Sequence, residues 1–227
     1  MDFLSSFYRQ QSMKAASVLV QQYQWERTHI LFACVCTGEG EGTEAAGRYM
    51  TGGLLEWFRG LDLKRPAGSI AVLEEQLRDV VLRIGRERRK GEEEEKTDEF
   101  GLAGIFCLED QCVLFHRGRA RIYLLNTAFG RGYARRLDGG KEEGALETER
   151  GVLQQDIGML FATEPFFVRV TEKMLAEGLY VGETVTEEQM EKHLRELAAA
   201  GEEKGGQGSG AVYVRMVGSW KNSRREC

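Results

Sequence analysis

Proline is nearly absent: two residues, Pro66 and Pro165, in a chain of 227. That scarcity excludes a polyproline rod, a collagen-like repeat and a proline-rich linker. Long apolar runs are missing as well. No window approaches the roughly 18 apolar residues of a membrane-spanning helix. The opening stretch, MDFLSSFYRQQSMKAASV, lacks the basic start and long apolar core of a secretory signal. A cytoplasmic chain with no membrane partner is the expectation. There is no basic excess either, with 31 Lys and Arg against 36 Asp and Glu, a net charge of −5. A nucleic-acid partner is therefore not expected. The cysteines number five, an odd set without framework spacing, which suits reduced thiols rather than a disulfide scaffold.

What is present suits a soluble globular protein: 42% hydrophobic and 30% charged residues, with 28 glycines for tight turns. Wholesale disorder is not expected. The length allows one sizeable domain, and neither an internal repeat nor a linker divides it. Residues 1–227 therefore read as one domain, with a flexible acidic segment near 90–99 and a short C-terminal tail.

Residues 17–23 read as a strand. Residues 28–36 read as a second strand, apolar at nearly every position and so central, with both faces covered. The glycine-rich turn Thr37-Gly-Glu-Gly-Glu-Gly42 follows. Residues 44–59 read as a helix with Ala45, Tyr49, Leu54, Trp57 and Phe58 inward. Ser69 is a candidate N-cap for a second helix, which carries Ile70, Leu73, Leu77, Val80, Val81 and Ile84 at helical spacing. The charged run RERRKGEEEEKTDE at 86–99 reads as a solvated helix end and loop. Residues 102–108, 111–116 and 121–126 read as a β-meander turning at Glu109-Asp110 and at Gly118. The Gly- and charge-rich stretch 130–150 reads as loop. After a strand at 158–163, Pro165 opens a helix running to about residue 177. Thr186 and Gln189 have capping-box spacing at the head of another helix. A polar loop at 201–210 precedes a last strand at 211–217. Helices early and late with strands between imply helices covering a pair of stacked sheets.

Few residues carry obvious chemistry. Cys34 and Cys36 share one face of a strand, which suits buried thiols; a zinc site needs further ligands nearby. The glycine-rich turn lacks the Lys-Ser/Thr of a phosphate-binding loop, and its glutamates repel phosphate. His29 and His116 fall in strand patterns and His193 on a helix flank. No Gly-x-Ser-x-Gly elbow accompanies them, so core or surface roles are the simpler account. Arg117, Arg119 and Arg121 alternate about a turn, either as a basic strip or as solvated cations.

Five segments in order carry a resemblance. They are Arg9-Gln-Gln-Ser12-Met13-Lys14, Phe32-Ala-Cys-Val-Cys36 running into Thr37-Gly38-Glu39-Gly40-Glu41, Gly118-Arg119-Ala120-Arg121-Ile122-Tyr123, Leu160-Phe-Ala-Thr163-Glu164-Pro165, and Gly208-Ser209-Gly210-Ala211-Val212. Across residues 9–217 they resemble the metal-dependent Ser/Thr phosphatases of the PPM type, the protein phosphatase 2C family. The resemblance implies an α+β fold, a four-layer α-β-β-α sandwich of two mainly antiparallel sheets. It also implies a site in which carboxylates hold two divalent cations that activate water for attack on phosphorus.

The scaffold positions match and the chemical ones do not. The family's glutamate place is Met13 and the aspartate place after it is Lys14. The metal-bridging aspartate place is Thr37, followed by Gly38. The Ser-Asp-Gly aspartate place is Glu164, and the final aspartate place is Gly208. Across these five places the family's charge of −5 becomes −1 + 1 = 0. Hard cations need clustered anionic oxygens, a thioether is a poor ligand for them, and an ammonium repels them. The resemblance thus implies a degenerate member with a vestigial site at Met13, Lys14, Thr37, Gly38, Glu164 and Gly208, no catalytic residues, no metal and no cofactor. Such a pseudophosphatase would act in signalling by binding a protein or a phospho-ligand, a Ser/Thr kinase or a phosphoprotein by analogy. Arg9 stands where the family arginine contacts phosphate, with Lys14 close by; the plain alternative is two surface cations near a chain end. The second reading is an active phosphatase with a Mg or Mn site rebuilt from Glu39, Glu41, Glu44 and Glu164, against which a solvated acidic turn is simpler.

Overall fold

Apolar side chains at both parities leave a strand with no face fit for water. In the computed structural model, residues 30–36 form the middle of β3 (Thr28–Glu39), each at most 2% exposed. Phe32, Cys34 and Cys36 pack to one side; Leu31, Ala33 and Val35 pack to the other. The structure describes residues 2–9, 16–25, 28–39, 44–61, 69–89, 99–128, 131–138, 145–154, 157–168, 170–179, 186–202 and 209–217. The run at 90–98 and the tail at 218–227 lie outside them.

One sheet contains β2 (Ser17–Trp25), β3, β4 (Glu99–Leu108), β5 (Gln111–Arg117) and β8 (Glu147–Val152), in the order β2-β3-β4-β5-β8. The other contains β1 (Asp2–Arg9), β6 (Arg121–Ala128), β7 (Arg131–Arg136), β9 (Gly158–Ala162) and β10 (Gly210–Val217), in the order β1-β10-β9-β6-β7. Every pairing is antiparallel. The helices α1 (Glu44–Gly60) and α2 (Ile70–Arg89) cover the outer face of the first sheet. A 3-10 turn (Glu164–Val168), α3 (Glu172–Gly178) and α4 (Glu187–Glu202) cover the second. Three apolar clusters lie between the four layers, so the expected α-β-β-α sandwich is borne out. Among the described residues no helix is long and apolar enough to cross a membrane.

The expected meander breaks at Gly118. Residues 121–126 do not return beside β5; they enter the opposite sheet between β9 and β7. Gly118 supplies the left-handed conformation, φ 67°, at this crossing. Ile122 meets the core between the sheets while Tyr123 and Leu125 meet the core under α3 and α4, so β6 is buried on both faces. The stretch expected as loop holds β7 and β8. Both are edge strands, and their exposed charged side chains hide the alternation. β1, likewise an edge strand, was not expected at all.

Two helices also depart from expectation. The inward row of α1 is Ala46, Met50, Leu54 and Phe58, with Ala45 and Tyr49 exposed and Trp57 partly buried. Pro165 lies in the 3-10 turn, and α3 starts afresh at Thr171, whose Oγ1 accepts from the Met174 N–H at 3.3 Å. The capping box of α4 forms as expected. Thr186 Oγ1 accepts from Gln189 N–H at 3.2 Å, and Gln189 Oε1 accepts from Thr186 N–H at 3.1 Å. Such a cap contributes about 1 kcal/mol.

Candidate functional site

Antiparallel register decides which strand ends meet. Arg9, the last residue of β1, lies opposite Gly210, the first of β10. Ala211 lies opposite Ala162, and Ala162 opposite Arg121. In the other sheet Cys36 faces Ser17 and Leu102, Thr37 faces Gly101, and Leu102 faces Arg117. The two sheets touch at this end: a Cβ on Gly210 would lie 2.5 Å from the Cβ of Ala16. One end of the sandwich thus collects Arg9, Thr37, Gly38 and Glu164. Met13, Lys14 and Gly208 lie outside the described residues.

The side chains at this end have defined partners. Thr37 is half-buried, and its hydroxyl donates to the carbonyl of its neighbour Gly38 at 3.2 Å. Thr163 is fully buried and fastens β9 to β10. Its N–H donates to the Gly210 carbonyl at 2.9 Å, and its Oγ1 accepts from the Gly210 N–H at 3.0 Å. Glu164, the next residue, opens the 3-10 turn and meets Arg119 at 3.5 Å, with both side chains about half exposed. Neither the Thr163 stitch nor this ion pair was expected from the sequence.

The arginines around Gly118 do not form one strip. The Arg117 guanidinium lies 4.2 Å over the Phe100 ring, and that of Arg121 lies 5.1 Å over the Phe167 ring. Phe100 belongs to the cluster under α1 and α2, and Phe167 to the cluster under α3 and α4. The two cations therefore diverge to opposite outer faces, and Arg119 alone turns to Glu164.

Other nucleophile and ligand candidates are held in packing roles. Cys34 and Cys36 are buried in the cluster under α1, and burial pushes the Cys34 thiol far up. Cys112 is pushed up to about 11 by burial. A thiol in that state is a poor nucleophile and a poor ligand near neutral pH. The His116 ring bonds the Ala120 carbonyl at 2.6 Å, and the backbone N–H of His29, a half-buried residue, donates to Glu109 Oε1 at 3.0 Å. Glu39 ends β3 and Glu44 begins α1, while Glu41 lies outside the described residues. Among the described residues no group of three or more His, Cys, Asp or Glu could hold a metal.

A pair of divalent cations requires several convergent carboxylates. Among the side chains described at this end, the donors are the Thr37 hydroxyl and one carboxylate, Glu164, whose counter-charge is Arg119; the side chains of Glu39 and Glu99, at the paired ends of β3 and β4, are not among those described. That donor set does not fit such a centre.

No protein-family model matches the chain, and no curated protein matches it. Solved structures do. Stp1 from Staphylococcus aureus, a serine/threonine phosphatase, has a TM-score of 0.70 at 13% identity, over 96% of both chains. A bacterial serine phosphatase has a TM-score of 0.69 at 13% identity, over 96% of this chain and 98% of that one. The catalytic domain of the serine/threonine phosphatase PstP, solved in complex with 2 manganese ions, has a TM-score of 0.64 at 17% identity, over 95% of this chain and 99% of that one. The chain has the fold of the PPM-type, protein phosphatase 2C-like enzymes, as the five segments implied.

Proposed function

From the premise of a metal-dependent phosphatase fold, we propose that this chain is a catalytically inactive relative, a pseudophosphatase that acts by binding a protein or a phospho-ligand. The Arg119–Glu164 ion pair carries the reading. Glu164 is the one acid retained at the family's ligand places, and Arg119 stands at the aspartate place of the family's Gly-Asp-Ser-Arg turn. A guanidinium supplies positive charge, but it does not lower the pKa of a bound water as a divalent cation does. An ion pair this exposed contributes on the order of 0–1 kcal/mol, so its meaning is chemical rather than structural. Arg9, with Lys14 near it in sequence, is the phosphate contact of this reading. The partner is a Ser/Thr kinase or a phosphoprotein in a cytoplasmic signalling pathway.

Phosphate monoesters are among the slowest biological substrates to hydrolyse unaided. The purified protein is therefore expected to leave a small aryl phosphate and a phosphothreonine peptide at background, with or without manganese. Manganese-dependent turnover that follows the pure protein peak, and is lost in Thr37→Ala or Glu164→Ala, would contradict the reading and favour a rebuilt metal site.

A further inference from the structure

Among the described residues four strands border the two sheets: β1, β2, β7 and β8. An open edge pairs readily with another strand, and chains that stay single blunt it with charge, proline or a covering group. Three of the four are blunted. β7 carries three arginines in six residues, and β8 carries two glutamates and an arginine in six. On β1 the Ser5 N–H is taken by Glu187 Oε1 at 3.4 Å. β2 has none of these devices: its nine residues, SVLVQQYQW, include no charge, no proline and no glycine. It is also long, against about 5–6 residues for a common strand.

The backbone of that edge is turned outward. The His29 carbonyl accepts from the Glu109 N–H at 2.9 Å, on the β4 side of β3. His29 and its β2 neighbour Gln24 are therefore a pair without mutual backbone bonds, and bonding alternates along an antiparallel ladder. Val18, Val20 and Gln22 thus point N–H and C=O away from β3. The Val20 carbonyl accepts from Gln21 Nε2 at 2.8 Å, a bond that an added strand replaces. Apolar surface lies on the same side. Tyr23 is 41% exposed, Gln22 Nε2 donates to Ser5 Oγ at 2.7 Å and so sets β1 alongside, and Phe7 of β1 is 56% exposed. An uncharged strand has no charge with which to select a foreign partner, but it is compatible with itself. Two-fold antiparallel pairing sets residues of one face opposite each other, and β2 then opposes like charges in no register. The register centred on Gln21 pairs all nine residues, sets Leu19 opposite Tyr23 and joins Val20 to Gln22 of the other copy. Each copy has one such edge, so the pairing closes at two.

We propose that β2 pairs with β2 of a second copy of this chain about a two-fold axis at Gln21, which joins two five-stranded sheets into one of ten strands. The pairing runs through backbone groups and stands whether or not the chain hydrolyses phosphate.

The test uses the full chain. At about 50 μM its sedimentation should give twice the chain mass. Gln22→Pro removes an outward N–H and no bond to β3, so it should weaken the dimer roughly tenfold or more while the circular dichroism stays that of the parent. Cysteine pairs locate the axis, with Cys227 changed to serine; the other four thiols are buried. Gln21→Cys faces itself in a pair whose Cα atoms lie about 4.5 Å apart, so oxidation should link two chains. Gln24→Cys faces residue 18 of the other copy and should not link. The cysteine comparison decides the matter even if the proline variant folds poorly. A monomer at that concentration, a dimer unmoved by a folded Gln22→Pro, or equal linking of the two cysteine variants would overturn the proposal. So would a chain that stays monomeric and takes up a foreign peptide strand along β2, which would assign the edge to another protein.

Discussion

A valine at Gly104 should abolish the folded state, and an alanine there should cost more than about 3 kcal/mol, the upper end of ordinary overpacking. Gly104 lies in β4, paired with Cys34 of β3 on one side and Phe115 of β5 on the other. A Cβ there would fall 2.4 Å from the Ala33 carbonyl oxygen, 2.4 Å from the tip of the Phe115 ring and 2.5 Å from the Cys34 Cβ. The first of these is backbone of the neighbouring strand β3, and the other two belong to buried side chains of the same cluster. None is a flexible group that can swing aside. Phe115 is further held by Phe32, at 5.9 Å between ring centroids. Native domains hold only about 5–15 kcal/mol in reserve, so a valine, with two more carbons, should exhaust it. Urea unfolding followed by tryptophan fluorescence measures the alanine variant, and near-ultraviolet circular dichroism reports the valine variant. An alanine variant within about 0.5 kcal/mol of the parent would mean that β3, β4 and β5 do not pack this way, since only surface-like substitutions are so mild.

Restoring the lost acids should create a manganese site. The variant carries Met13→Glu, Lys14→Asp, Thr37→Asp, Glu164→Asp and Gly208→Asp, and the ion pair at 164 shows that it also needs Arg119→Ala. Without that last change the guanidinium would remain beside a new ligand. Like charges about 4 Å apart repel by about 1 kcal/mol even at the dielectric of water, so keeping Arg119 should weaken manganese binding roughly fivefold or more. Calorimetric titration compares the two variants. Manganese heats equal in both would mean that Arg119 does not face the position of the cation. Turnover of an aryl phosphate by the six-substitution variant is the accompanying expectation.

The parts of this architecture that were legible in the sequence are those where chemistry acts on one strand or helix at a time. Residues 30–36 announce a strand buried on both faces, and Thr186 with Gln189 announces a helix start. The edge strands did not show: β7 and β8 are largely exposed and charged, and in β1 two serines interrupt the apolar residues that meet the cores on its two faces. Gly118 read as a hairpin because a turn between two apolar strands looks the same whether the second strand stays in its sheet or crosses to the next. At the site, Arg9, Thr37 and Glu164 came from the resemblance to a family and not from periodicity. The Arg119–Glu164 pair was not legible, since only the antiparallel register of β6 with β9 brings those distant segments together. The Arg117 and Arg121 stacks escaped for the same reason: Phe100 and Phe167 lie in other segments.

The central claim, a phosphatase fold whose ligand places no longer hold metal, is tested most directly by titrating the unmodified protein with manganese and following the spin resonance of the free aquo ion. The signal should rise in proportion to added manganese, as in buffer alone, and the melting temperature should stay constant, because stabilisation requires binding to the native state. A signal suppressed until one or two equivalents are bound, together with a rising melting temperature, both lost in Glu164→Ala, would contradict the claim.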